Sequence, residues 1–155
     1  MMITIVEITR SDGLDIIRAL FTEYAQSLGF DLGFQDFAGE LANLPGDYAP
    51  PLGRLLLARV DGKPAGCIAL HPLAPDICEM KRLYVRSEFR GKGVGRMLVG
   101  RLIAEAREIG YQKMRLDTVP RMEEAIGLYR HFGFREIEPY RFNPIPGALY
   151  FELEL

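Results

Sequence analysis

The chain opens on alternation. Ile3 and Ile5, with Ile8 beyond them, fall on one side of a predicted strand over 3–8. The period then changes. Leu14, Ile17, Leu20, Phe21, Tyr24 and Leu28 recur every three or four residues, which predicts an amphipathic helix capped by Ser11 or Asp12 and stopped at Gly29. A shorter helix is predicted over 35–44, with Phe37, Leu41 and Leu44 on one face, before Pro45-Gly46 and Pro50-Pro51 break the chain. Strands at 54–60 and 64–70 flank Asp61-Gly62, a pair suited to a two-residue hairpin turn. The run Leu55-Leu56-Leu57-Ala58 has no polar side and predicts burial on both faces. His71 precedes Pro72 in a turn that Pro72 and Pro75 mark, and 77–85 is the next strand. Helical spacing returns at 93–109, with Val94, Leu98, Leu102, Ile103, Ala106 and Ile109 inward and Gly110 as the stop. A strand at 113–118 follows. A helix introduced by Glu123 and Glu124 then carries Ala125, Leu128, Tyr129 and Phe132 and ends at Gly133, and strands at 134–140 and 148–155 finish the chain.

The order is β-α-α-β-β-β-α-β-α-β-β. That is an α/β (α+β) pattern of seven strands, in one mixed sheet covered by helices, with 78–118 as a parallel, right-handed strand–helix–strand unit. With 155 residues and no linker, one domain over 1–155 is expected. The net charge of −2 gives no reason to expect nucleic acid or an anionic membrane as partner. No signal-peptide pattern or apolar stretch of spanning length is present, so a cytoplasmic location is expected. Cys67 and Cys78 are read as free thiols, and His71 and His131, without partners at metal spacing, as structural; no metal is expected.

Charge is unevenly placed. Residues 1–50 carry eight acids against Arg10 and Arg18, whereas residues 81–101 carry seven bases against Glu88 alone. The basic stretch contains Arg90-Gly91-Lys92-Gly93-Val94-Gly95-Arg96, three alternate glycines opening a helix. Bare backbone N–H groups and a positive helix end suit phosphate. A P-loop is excluded because G-x-x-x-x-G-K-[ST] is absent. A dinucleotide loop fits poorly. The third glycine comes one residue early, and the glycines lie about five residues past the strand end although Asp117 sits where a ribose-binding acid would.

This loop matches the [Q/R]-x-x-G-x-[G/A] pattern of the GNAT superfamily of N-acetyltransferases, and the chain resembles that family more widely. Cys78-Glu79-Met80-Lys81-Arg82-Leu83-Tyr84-Val85 is similar to its central strand, and Ala125-Ile126-Gly127-Leu128-Tyr129-Arg130-His131-Phe132-Gly133-Phe134 to its A-x-x-L-Y-x-x-x-G-F segment. The resemblance implies a mostly antiparallel sheet with helices on both faces, acetyl-CoA as co-substrate, and transfer to an amine of a small molecule or polypeptide by direct attack in a ternary complex. A non-catalytic acyl-CoA-binding or sensing module on the same fold is the alternative. By the resemblance Arg90, Gly91, Lys92, Gly93, Val94, Gly95 and Arg96 hold the pyrophosphate. Leu83, Tyr84 and Val85 lie against the pantetheine arm on a strand splayed at a bulge, where an N–H near Leu83 polarises the thioester. Glu79, on one strand face with Lys81, Leu83 and Val85, is the candidate base, and Tyr129 the candidate acid. Tyr24, Leu28, Phe30, Phe34, Tyr48, Tyr140, Phe142, Asn143 and Tyr150 are expected around the acceptor, where the acids of residues 1–50 would suit a cationic amine. The resemblance leaves room for a homodimer.

Overall fold

The computed structural model describes residues 1–155, with every side chain but that of Phe34. Seven strands and four helices follow in the expected order: β1 (Ile3–Glu7), α1 (Ser11–Ser27), α2 (Phe37–Ala42), β2 (Arg54–Val60), β3 (Lys63–Ala74), β4 (Ile77–Val85), α3 (Val94–Ile109), β5 (Lys113–Thr118), α4 (Glu123–His131), β6 (Arg135–Ile137) and β7 (Leu149–Glu154). They form one sheet ordered β1-β2-β3-β4-β5-β7-β6, antiparallel except between β4 and β5.

The unbroken apolar run of β2 explains the two-layer packing. Leu56 and Ala58 face α3, where they meet the cluster of Leu98, Leu102 and Ala106. Leu55 and Leu57 face α1, against Leu14, Ile17 and Phe21. Successive strand residues point to opposite sides, so a run apolar at every position serves two cores. The β2–β3 turn places Asp61 at φ 50° and Gly62 at φ 82°, the two left-handed positions of a tight hairpin.

Several boundaries differ from the sequence reading. β3 runs through His71 and Pro72 to Ala74, so these residues lie in the strand and not in a turn. Pro72 is accommodated where the β3–β4 register shifts, between Pro72 and Ala74. Helix α2 is shortened to Phe37–Ala42 and preceded by a 3-10 turn at Gly33–Gln35. Arg10, not Ser11 or Asp12, is the N-cap of α1, with no side-chain cap. β6 is only three residues long.

The feature that shapes the site is in β4. Its register with β3 shifts between Cys67 and Ala69, so that two residues, Arg82 and Leu83, oppose Ile68 alone. Arg82 sits there at φ 63°. This bulge switches the faces of the strand. Cys78 and Met80 before it, and Leu83 and Val85 after it, all lie on the α3 side. Glu79 and Lys81 therefore lie on the face opposite Leu83 and Val85, and not on a shared one.

Candidate active site

β4 pairs with β5 only from Ile77 to Glu79, opposite Lys113 to Arg115. From Met80 onward the β5-facing edge of β4 carries no partner strand, and a wedge opens between the two strands. A groove of about 610 Å³ occupies this side, lined by Leu83, Tyr84 and Val85 of β4, by Arg90, Gly91, Gly93, Val94, Gly95 and Arg96, and across from them by Ala125 and Leu128 of α4. An unpaired strand edge beside a groove is a ready partner for an extended, amide-bearing chain.

The turn at the head of the groove is set by its glycines. Gly91 at φ 77° and Gly93 at φ 86° are left-handed, and Gly93 is the N-cap of α3. A Cβ at either would meet no atom within 4 Å, so it is the backbone angle and not space that demands glycine there. The first N–H groups of α3 have no intrahelical partner and lie at the positive end of a 16-residue helix. Arg90 and Arg96 line the groove there, and Arg90 also donates through Nε to the Val85 carbonyl at 3.0 Å. Lys92 is exposed and lies outside the groove lining.

At its inner end the groove shares Tyr24, Leu83, Met122 and Ala125 with a small cavity of about 50 Å³ that also touches Lys81, Arg82, Asp117 and Tyr129. Tyr129 is buried, its ring packed on Phe134 and Phe151 at centroid distances of 5.7 and 6.3 Å. Burial raises the pKa of its phenol, which stays protonated at neutral pH.

Glu79 is fully buried and lines none of these spaces. Its carboxylate accepts from Tyr140 Oη at 2.6 Å and from Arg141 Nη2 at 2.8 Å, and His71 Nε2 lies 2.8 Å from Oε1. Burial pushes its pKa up, but the contacts with His71 and Tyr140 and the charges of Lys81 and Arg141 outweigh that and leave it below the ordinary value. A carboxylate so held is a poor proton acceptor and a good brace. The linkage is definite: with the folded pKa lowered, Glu79 stabilises the fold above the unfolded value near pH 4.3, and this is lost as pH falls through the folded value. Thermal unfolding should show wild type well above Glu79→Gln at pH 7, with the gap closing as pH drops below about 4.

On the α1–α2 side a pocket of about 410 Å³ opens among Asp36, Glu40, Asp47, Tyr48, Lys81 and Arg141. Tyr24, Leu28, Phe30 and Asn143 surround a second 50 Å³ cavity that joins the two sides through Lys81. Tyr140 braces Glu79, Tyr150 donates to the Arg141 carbonyl at 2.8 Å, and Phe142 is 76% exposed. The expectation for Phe34 falls outside the described residues. The pair that the sequence did not reveal is Arg82 with Glu40, joined at 2.9 Å (Nε–Oε2) and 2.8 Å (Nη2–Oε1) across 42 positions.

These features agree with comparison to known proteins. The model of the acetyltransferase (GNAT) family matches residues 13–134. An uncharacterized N-acetyltransferase from Schizosaccharomyces pombe is 46% identical over 144 residues, covering 92% of this chain and 88% of that protein. A GNAT-family acetyltransferase from Staphylococcus aureus has the same fold, with a TM-score of 0.78 over 99% of both chains at 22% identity. A Salmonella typhimurium protein, solved with its cofactor acetyl-CoA, aligns over 98% of this chain and 93% of its own, with a TM-score of 0.71 at 20% identity. A glycine turn on a helix end, a bulged and splayed strand, and a family match across 13–134 lead to one conclusion: this chain belongs to the GNAT family and is an N-acetyltransferase.

Proposed function

We propose that the protein moves the acetyl group of acetyl-CoA to a primary amine by direct attack while both substrates are bound. The observation that carries this reading is the groove along the unpaired edge of β4, which runs from the glycine turn at Gly91 and Gly93 toward Tyr129. In this assignment the pyrophosphate lies on the first N–H groups of α3, with Arg90 and Arg96 at its flanks. The pantetheine amides pair with the backbone of Leu83 and Val85, and Tyr84 lines the same groove. Lys92 contributes long-range charge rather than contact.

The amine nitrogen, as the free base, attacks the thioester carbonyl carbon. A C–N bond forms as the carbonyl electrons move to oxygen, where a backbone N–H at the bulge near Leu83 supports the charge. The C–S bond then breaks, and the sulfur leaves with the electron pair. Tyr129 donates its hydroxyl proton to that sulfur, and the extra proton on the attacking nitrogen passes to solvent, which returns one to the phenolate and leaves the neutral amide. Burial, which raises the phenol pKa, keeps the proton on Tyr129 until the sulfur leaves. We assign the incoming proton to water in the acceptor pocket. Glu79, proposed from sequence as the base, acts here by holding Tyr140, Arg141 and His71 in place.

Thiol release from acetyl-CoA across an amine panel tests the reading, together with a thermal shift on adding coenzyme A. Release that depends on the amine supports it; no shift and no release with any amine would overturn it. The turn gives a sharper test. A side chain at Gly93 must hold a left-handed angle that costs an L-residue about 1–2 kcal/mol. Gly93→Ala should therefore weaken acetyl-CoA binding about tenfold by calorimetry, with the amine KM little changed.

A further inference from the structure

Lys81 stands where the donor side and the acceptor side meet. It lines the small cavity that contains Tyr129 and also the 410 Å³ pocket that contains Arg141. Its ammonium donates to Gln35 Oε1 at 2.9 Å and, among the described residues, makes no ion pair. The acids around it are already committed. Glu40 is bound through both oxygens by Arg82, and Glu79 is held by His71, Tyr140 and Arg141. Asp117 accepts from Asn143 Nδ2 at 3.0 Å. Asp36 and Asp47 are exposed on the pocket rim. The floor thus holds three cations and three carboxylates, and among the described residues the Lys81 ammonium is the cation there without an ion pair. Arg141, beside it, is paired with Glu79 through Nη2 and has a buried Nε with no hydrogen-bond partner among the described residues.

Resting on the acyl-transfer reading, we propose that the acceptor is a small α-amino acid whose carboxylate is anchored by Lys81 and Arg141. The chemistry fits in two ways. An ammonium and a guanidinium at one floor suit a two-oxygen anion. The passage from Lys81 toward Tyr129 is only about 50 Å³, so a carboxylate held at Lys81 leaves room for an amine a bond or two away and little else. The pKa of Lys81 itself is pulled down to about 8, by burial first and then by Arg82 and Arg141 against the opposing pull of Glu79 and Asp117, and an anionic ligand would restore its charge. This differs from the cationic amine expected from the acids of residues 1–50, of which Glu40 is bound by Arg82 and Asp36 and Asp47 lie on the rim.

The test compares L-α-amino acids with their carboxamides, which keep shape and amine but lose the anion. Wild type should favour the acid by about 10- to 100-fold in kcat/KM. The amide amine is the weaker base, so it would be favoured if the carboxylate were irrelevant. Lys81→Met should abolish the preference by raising KM for the acid alone, and Lys81→Arg should restore part of it. Equal use of acid and amide, a preference for spermidine, or an equal loss for both substrates in Lys81→Met would overturn the proposal. If no amine releases thiol, the transfer reading fails. Calorimetry of acid against amide on the enzyme with coenzyme A then decides the anchor: tighter acid binding supports it, and equal binding overturns it.

Discussion

Tyr129→Phe lowers kcat about 100-fold or more while acetyl-CoA binds within about twofold of wild type; this is the result expected if the phenol protonates the leaving sulfur. The substitution removes one oxygen and keeps the ring that packs on Phe134 and Phe151, so folding should be little affected. The phenol is buried at the inner end of the donor groove, beside Leu83. Without it, a thiolate must leave into a site that water reaches poorly. In the proposed binding mode donor affinity rests instead on the glycine turn and the backbone of the β4 edge, not on the phenol oxygen. An activity equal to wild type would make Tyr129 a packing residue only. Equal losses in kcat and in donor affinity would mean that the groove itself had collapsed.

Glu40→Ala is expected to lower stability by about 3–5 kcal/mol, roughly 10 °C in Tm, read by thermal unfolding. Arg82 explains the size of this effect. Its side chain is 2% exposed, its charge is satisfied by both oxygens of Glu40, and its guanidinium lies 5.3 Å from the centroid of the Phe37 ring. Removing Glu40 leaves that charge buried without its counter-ion. Replacing both partners, with Arg82→Met and Glu40→Leu, should recover much of the loss, because the desolvation cost leaves together with the pair. The pair also fastens α2 to the bulge, so Glu40→Ala should raise the amine KM more than it changes donor binding.

Much of this fold was readable along the chain because the signals are local. The change from period 2 to period 3.6 marked β1 and α1, the four apolar residues from Leu55 gave a strand buried on both sides, and Asp61-Gly62 gave the hairpin. The groove lining at Arg90, Gly91 and Gly93 was legible for the same reason: left-handed turn and helix start lie within a few residues of each other. What failed was non-local. Strict alternation put Glu79 beside Leu83, but the bulge at Arg82 reverses the faces. Nothing in the local pattern announced that reversal. The basic pair Lys81-Arg82 inside the strand was the local trace, and the partner of Arg82, Glu40, lies 42 positions away. Likewise His71 was read from its proline neighbours as a turn residue, whereas β3 continues past it and sets its ring against Glu79. Of the acids of the first 50 residues, Glu23 and Glu40 are bound by Arg86 and Arg82, pairings that a count along the chain does not reveal.

The central claim is direct transfer between two substrates held together across the wedge between β4 and β5. Initial velocities of thiol release, with acetyl-CoA and an amine varied against each other, test it most directly. Intersecting reciprocal lines are predicted, because both substrates must be bound before the bond forms. Parallel lines, the signature of an acylated enzyme, would contradict it.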